Sequence, residues 1–197
     1  MGADTMGVPD QGLLESAIRP AMVGRDDERA RGGELASDAA AGGGRLLLIE
    51  GEPGIGKTLL LRTILDDAAD LIPHVVVGAA EELDQRLVFA TLHSCLQRSE
   101  RRGSQTAKVL GLIRDGSAEY PVIEATLTLI EEWCSASPVA VAVEDLHWAD
   151  SASIVLLHRL GKVAGQLPLL LAGTFRAGCG RRAGRWPPVA LAGHRGR

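Results

Sequence analysis

The chain has 197 residues, of which 46% are hydrophobic and 3% are aromatic, and its formal net charge is −4. This length favours one domain, and this hydrophobic content excludes disorder of the whole chain. The apolar runs are too short to span a bilayer, and the acidic amino terminus gives no sign of a secretory signal. A soluble, cytoplasmic protein is therefore predicted.

The charge is unevenly distributed along the chain. Residues 151–197 contain 8 Lys and Arg and no acidic residue, so all 25 Asp and Glu lie before them. Most of the basic excess lies in residues 178–197, which are rich in Arg, Gly, Pro and Ala but lack periodicity and interleaved aromatics, apart from Trp186. Direct nucleic-acid binding by this chain is therefore not expected. The three cysteines are far apart, which predicts buried thiols and neither a zinc site nor a disulfide framework.

The amino-terminal third predicts a lead-in, two helices and a strand. Residues 1–19 form the lead-in, and residues 26–41 predict a helix that Gly32 and Gly33 weaken. After a glycine triplet, the apolar run Arg45–Glu50 predicts a buried strand, and residues 59–65 predict a helix.

The segment between that strand and that helix carries the strongest motif. Its sequence, Gly51-Glu52-Pro53-Gly54-Ile55-Gly56-Lys57-Thr58, matches the phosphate-binding pattern G-x-x-x-x-G-K-[ST]. Glycines let successive backbone N–H groups converge on an anion, and the positive end of the helix dipole points at the same place. Lys57 would then reach the outer phosphates, and the Thr58 hydroxyl would hold Mg²⁺. The pattern predicts a P-loop for a nucleoside triphosphate; the alternative is a Gly-rich turn with a surface lysine.

The rest of the chain alternates helices with strands. Further strands are predicted over residues 74–78, 139–143 and 167–174, and helices over 88–96, 109–113, 122–133 and 151–164, with a polar connection over 98–108. Asp150 or Ser151 would cap the last helix. Such alternation predicts an α/β fold, a P-loop NTPase three-layer sandwich with a mainly parallel sheet that is incomplete at its carboxyl-terminal side.

Two further groups follow the carboxyl ends of predicted strands. Glu144 and Asp145 end an apolar strand, as a Walker B element does: one carboxylate would support Mg²⁺ and the other would orient or deprotonate water. The sequence leaves open which acid contacts the metal. Arg176 would contact the γ-phosphate, unless it is an ordinary solvated arginine. His147 favours packing or loop anchoring over metal binding. Because ligands bind outside the carboxyl ends of parallel strands, these groups and the P-loop should converge.

With these motifs in place, the chain resembles a family, the AAA/STAND-type ATPase module of large LuxR-type transcriptional regulators, over about residues 20–177. The residues that carry the resemblance are Val23-Gly24-Arg25 with Glu28, the P-loop, Val143-Glu144-Asp145-Leu146-His147-Trp148-Ala149-Asp150, and Gly173-Thr174-Phe175-Arg176.

The resemblance implies a nucleotide-controlled switch. It implies that Val23, Gly24 and Arg25 lie near the adenine and that the P-loop, with Lys57 and Thr58, binds phosphates and Mg²⁺. It also implies a Walker B role for the two acids and a sensor role for Arg176. Residues 20–177 would form the ATPase core, and residues 178–197 an irregular tail.

Members of this family continue beyond the fourth strand into a fifth strand, a helical lid, a repeat region and a helix-turn-helix. The tail has no room for these elements, and its composition is typical of out-of-frame translation of GC-rich DNA, so a truncated module is expected. A family-like continuation in another reading frame of the encoding DNA would test this expectation. Without a lid the bound nucleotide would be exposed to solvent, which predicts weak Mg·ATP binding and very slow hydrolysis.

Three functions remain in competition. The first is an ATP-binding switch module with latent ATPase activity; the second is a stand-alone P-loop enzyme such as a small-molecule kinase. The third is an inert fragment that acts only as an interaction module through its open sheet edge, by which a protein partner or self-association would be possible. A membrane partner is not expected. The sequence does not decide between ATP and GTP, and it leaves the upstream signal and the oligomeric state open.

Overall fold

A computed structural model of the chain describes residues 24–101 and 103–178. The predicted lead-in, the expected adenine contact Val23 and the tail beyond Gly178 lie outside the described residues. The prediction of buried thiols holds for Cys95 and Cys134, where burial raises the pKa to about 12 and about 11, respectively.

The described part of the chain forms a four-stranded sheet in the order β1-β4-β3-β2. The strands are β1 (Arg45–Gly51), β2 (His74–Ala79), β3 (Val139–Glu144) and β4 (Leu169–Arg176). All neighbouring strands are parallel. The strands are runs of Leu, Val and Ala because helices cover both faces of the sheet. The predicted strands and the parallel α/β fold are confirmed.

Helices lie on both faces of this sheet. They are α1 (Asp26–Ala40), α2 (Lys57–Asp67), α3 (Ala90–Arg98), α4 (Ser104–Arg114), α5 (Glu119–Ala136) and α6 (Ser151–Ala164), with short 3₁₀ turns over Glu82–Arg86 and Leu146–Trp148. One core joins the sheet to α1 and α2, and the other joins it to α3, α4, α5 and α6. None of the described helices is long and apolar enough to cross a bilayer.

Alternate strand residues supply the two cores. In β1, Leu47 and Ile49 pack with the P-loop helix, whereas Leu48 belongs to the core on the opposite face. This alternation follows from the two-residue period of a strand, which sends successive side chains to opposite faces. It gives the three-layer sandwich that the sequence predicts.

Gly32, which was expected to weaken α1, lies where this helix packs closely against α2. The helix α1 runs without a break through Gly32, which is buried. A Cβ added at Gly32 would overlap the side chain of Ile64 on α2. The glycine therefore lets α1 lie close against the P-loop helix, and this close approach outweighs its low helix propensity.

Several predicted helix boundaries differ from the structure, and α5 extends beyond its predicted range of 122–133 at both ends. The helix predicted from residue 88 begins at Ala90, because Phe89 has a left-handed backbone with φ of 61°. The predicted polar connection over 98–108 is shorter, because α4 begins at Ser104. There the Thr106 hydroxyl donates a hydrogen bond to the Arg101 carbonyl over 3.1 Å, which connects the first turn of α4 to the segment before it.

The start of β2 carries a buried histidine. The ring of His74 packs edge-on against Trp133, with 4.5 Å between ring centroids. Among the described residues, neither of its ring nitrogens has a hydrogen-bond partner. Burial, and secondarily the positive charge of Arg101, lower the pKa of His74 to about 4.

We expect this histidine to make folding sensitive to mild acid. In the unfolded chain its pKa lies near 6.5, so the unfolded state takes up the proton first. The stabilisation is therefore complete above pH 6.5 and is lost as pH falls toward 4, by about 2 kcal/mol between pH 7 and pH 5. Urea unfolding at both pH values measures it. His74→Phe keeps the packing against Trp133 and should lose about 2 kcal/mol less unfolding free energy between pH 7 and pH 5 than the wild type. An equal loss in both proteins would contradict the role given to His74.

Candidate nucleotide-binding site

The P-loop joins β1 to α2, and its glycines are required by backbone conformation. Gly54 and Gly56 have φ of 76° and 90°, in the left-handed region that favours glycine. A Cβ added at either position would meet nothing within 4 Å, so space is not the reason for the glycines. These two residues turn the chain sharply into the first residue of α2.

The N–H groups of this turn fit an anion. No described backbone carbonyl accepts a hydrogen bond from the N–H of Gly54, Gly56, Lys57 or Thr58. The first N–H groups of a helix have no partner within the helix, and the helix dipole makes this end positive. A loop with several unpaired N–H groups at a helix start is the geometry that binds phosphate. The residues present therefore fit the phosphates of a nucleotide.

The lysine of the motif lies across the loop. Lys57 is buried, and its Nζ donates hydrogen bonds to the carbonyls of Gly51 and Glu52, each over 2.9 Å. A second cation supports the loop from outside, because the Arg25 guanidinium donates to the Ile55 carbonyl over 3.0 Å. Arg25 precedes α1, and this residue of the segment that the resemblance places near the adenine contacts the P-loop.

Glu144 is bound to the helix that the P-loop begins. Its carboxylate is buried and accepts two hydrogen bonds from Arg62 on α2, from Nε over 2.8 Å and from a terminal nitrogen over 3.2 Å. This bidentate pair connects the end of β3 to the P-loop helix. The P-loop and the acidic pair therefore lie on the same side of the molecule. Nothing in the sequence marks Arg62, because its partner lies 82 residues away.

Asp145 differs from its neighbour in both exposure and backbone. It has a left-handed φ of 54°, and its N–H donates to the hydroxyl of the buried Thr174 over 3.0 Å. Its side chain is 49% exposed, whereas that of Glu144 is 11% exposed. The structure thus separates a paired, buried carboxylate from an accessible one.

Arg176 is the last residue of β4, which lies between the strand that leads into the P-loop and the strand that ends at the two acids. Residue Arg176 is in register with Gly51 of β1, and its guanidinium lies 5.5 Å from the ring centroid of Trp148, a cation–π distance. Because β4 lies between β1 and β3, its carboxyl end stands between the P-loop and the acids. The three predicted groups therefore share one edge of the sheet.

The charges of Asp145, Arg176 and Lys57 all act on His147. Its side chain is 5% exposed, and its ring lies 4.9 Å from the Trp148 ring. Burial lowers the pKa of His147; the charge of Asp145 raises it, and the charges of Arg176 and Lys57 lower it further. Groups from the start of α2, from the end of β4 and from the loop after β3 thus act on one imidazole. The ring contact agrees with the predicted packing role, but neither ring nitrogen has a hydrogen-bond partner among the described residues.

Asp150 closes the loop that follows β3. It caps α6 by accepting a hydrogen bond from the Ser153 N–H over 2.9 Å, which confirms one of the two predicted caps. It also accepts from the N–H groups of Phe89 over 2.9 Å and Thr91 over 3.1 Å, at the start of α3. The sequence does not reveal these last two bonds, which connect the site loop to α3.

We expect Arg62→Ala to lower the free energy of unfolding by about 1–2 kcal/mol, because it leaves the buried Glu144 carboxylate unpaired. The cost is below that of a fully buried pair, since the Arg62 side chain is 59% exposed. Arg159→Ala is the matched control: it breaks an ion pair with Glu124 in which both side chains are about half exposed, and should cost less than about 0.5 kcal/mol. Urea unfolding measures both, and equal costs would contradict the special role of Arg62.

A parallel α/β sandwich with a G-x-x-x-x-G-K-[ST] loop between its first strand and the next helix defines the P-loop NTPase class. A model of the AAA ATPase domain matches residues 21–172 of the chain. The chain belongs to the AAA ATPase domain family.

Some known proteins resemble this chain in sequence, and others resemble it in fold. An uncharacterized protein of Rhizobium meliloti (strain 1021) is 27% identical, over 79% of this chain and 18% of its own length. The chain thus spans less than a fifth of that relative. Among solved structures, Cdc6p from Pyrobaculum aerophilum matches with a TM-score of 0.55 and 14% identity, over 93% of this chain and 49% of its own. The Aeropyrum pernix ORC1 protein, solved in complex with DNA, matches with a TM-score of 0.52 and 17% identity, over 84% and 42%. At these identities the two structures support the fold alone.

Proposed function

We propose that this chain binds Mg·ATP at its P-loop and acts as the nucleotide-controlled switch module of a larger signalling or transcriptional regulator. One observation carries the proposal: Arg62 joins the Glu144 carboxylate at the end of β3 to the helix that the P-loop begins. The motifs of phosphate binding and of metal and water handling are thereby held together across the sheet.

Each residue of the site has a proposed task. The N–H groups of the P-loop and the Lys57 ammonium bind the phosphates, and the Thr58 hydroxyl holds Mg²⁺, which neutralises phosphate charge when bound. Asp145 is the acid better placed to face the metal or its water, because Glu144 is already paired. Gly24 and Arg25 contact the base, and Arg176 contacts the γ-phosphate.

The same pairing supports slow hydrolysis. Both carboxylate oxygens of Glu144 already accept hydrogen bonds from the Arg62 guanidinium, so neither is free to accept a proton from a water molecule. Glu144 would have to leave Arg62 before it could deprotonate an attacking water. We therefore propose a binding switch with latent ATPase activity.

The role in a regulator rests on the wider context of the chain. The run Val143–Asp150 carries the resemblance to LuxR-type regulators, and the Rhizobium meliloti relative is more than five times longer than the matched segment. In the described sheet, β1 has a neighbour on one side only, β4. A strand edge of this kind can pair with another chain or another part of a longer protein, so we propose it as the partner surface.

One observation favours a second candidate, a small-molecule kinase. A cleft of about 440 Å³ lies beside α3, just after the carboxyl end of β2, and Glu81, His93 and Arg98 contribute to its wall. Its polar lining could hold a phosphoryl acceptor. The switch is preferred because no carboxylate of this cleft is tied to the P-loop helix as Glu144 is.

Calorimetric titration with ATP and with GTP, each with and without Mg²⁺, tests the proposal. We expect weak saturable binding of ATP that becomes roughly tenfold weaker without Mg²⁺, and hydrolysis too slow to deplete the nucleotide during the titration. Absence of saturable binding would contradict the proposal. Robust turnover would contradict the latent state, and phosphoryl transfer to a supplied small-molecule acceptor would favour the kinase.

A further inference from the structure

His147 is the buried polar side chain of the site that lacks a partner. Its side chain is 5% exposed, and both ring nitrogens are without a hydrogen bond among the described residues. Buried side-chain nitrogens in native proteins almost always have a partner, because an unpaired one loses its bonds to water without replacement. His74 is unpaired in the same way, but it lies at the amino end of β2, whereas His147 lies at the edge of the sheet that carries the candidate site, where a ligand can supply the partner.

The ring is held in place by its loop. The His147 carbonyl accepts a hydrogen bond from the Gln85 side chain over 3.2 Å, and the Trp148 N–H donates to the Asp145 carbonyl over 2.8 Å. The His147 ring also packs against the ring of Trp148. With its backbone and one face fixed, the imidazole is a preorganised group, which is what specific recognition of a ligand atom needs.

Two cations and one acid surround the ring. The cations Lys57 and Arg176 act electrostatically on His147, one from the P-loop and one from the end of β4. The nearest acid offers no direct alternative, since the Asp145 carboxylate lies 3.9 Å from the ring Nδ1, beyond hydrogen-bond distance. An imidazole carries at least one N–H in every protonation state, so it can always donate to a phosphate oxygen.

We propose that His147 donates a ring N–H to the terminal phosphate of a bound nucleoside triphosphate and makes the site prefer triphosphate over diphosphate. The inner phosphates have the P-loop N–H groups as partners, whereas His147 comes from the strand beyond β4, on the side where Arg176 stands. The inference rests on the proposed function and adds the residue that distinguishes a bound triphosphate from a bound diphosphate.

Titration of the full chain with Mg·ATP and with Mg·ADP tests this inference. In His147→Ala the affinity for ATP should fall about tenfold while the affinity for ADP stays within about twofold, so the preference for ATP is lost. His147→Gln, which keeps an N–H donor, should recover part of that preference. His158→Ala, an exposed histidine on α6, is the matched control and should change neither affinity.

Nitrogen NMR of the wild-type imidazoles gives a second measurement that does not depend on a variant folding well. A ring nitrogen of His147 should shift on addition of a non-hydrolysable ATP analogue with Mg²⁺, and should not shift with ADP. An unchanged ATP-to-ADP ratio in His147→Ala, an equal loss of both affinities, or identical shifts with both nucleotides would overturn the inference and leave the proposed function standing. A wild-type chain that binds neither nucleotide would instead overturn the proposed function.

Discussion

Asp150→Ala is expected to lower the free energy of unfolding by about 4 kcal/mol, at least twice the cost expected for Arg62→Ala. Asp150 is 3% exposed and accepts hydrogen bonds from the N–H groups of Phe89, Thr91 and Ser153. Loss of the cap of α6 costs about 1 kcal/mol. The other two N–H groups would be left buried without an acceptor, at about 1–3 kcal/mol each.

The position of Phe89 adds to this expectation. Phe89 is buried and has an unusual left-handed backbone, and its N–H is fixed by Asp150. A left-handed conformation in a bulky residue persists only where its surroundings hold it. Removing the Asp150 carboxylate should therefore loosen the start of α3 as well as α6.

Urea unfolding of Asp150→Ala and Asp150→Asn measures the effect. Asparagine has nearly the same shape but only one acceptor oxygen, so it should retain one part of the network and cost about half as much. Hydrogen exchange should show faster opening at Phe89 and Thr91 in the alanine variant. A loss below about 1.5 kcal/mol would mean that the cap of α6 is the sole contribution and that the contacts to α3 are not stabilising.

The sequence predicts the sheet well because both of its faces are buried. The strands β1, β3 and β4 are nearly continuous apolar runs, which is the pattern of a parallel sheet covered by helices. The general rule that ligands bind at the carboxyl ends of such strands then brings the P-loop, Glu144 and Arg176 to one edge without further information.

The sequence fails where a feature depends on residues far apart in the chain. The pair of Arg62 with Glu144 has no local pattern, since arginines with other partners, such as Arg159, also occur on the helices of this chain. The close approach of Gly32 to Ile64 depends on how two helices cross, so low helix propensity is all that the local sequence shows. The unpaired ring of His147 is visible only once burial is known.

Lys57→Ala is expected to weaken Mg·ATP binding by roughly 100-fold, because the ammonium that binds the outer phosphates is lost from a site whose other contacts are mostly backbone N–H groups. The fold should tolerate the change. The Gly51 carbonyl keeps the N–H of Ala177 at 3.3 Å, and the Glu52 carbonyl keeps the N–H of Ile55 at 3.4 Å, so neither acceptor is orphaned.

The matched control is Lys108→Ala, which removes the same charge from an exposed position on α4 and should leave binding unchanged. Calorimetry gives the affinities, and urea unfolding should show that Lys57→Ala stays within about 1 kcal/mol of the wild type. Binding that survives Lys57→Ala would place the nucleotide elsewhere, and then the shared edge of β1, β3 and β4 would have to serve another ligand. Binding lost equally in both variants would instead identify a general electrostatic attraction, which added salt would abolish because it screens exposed charges.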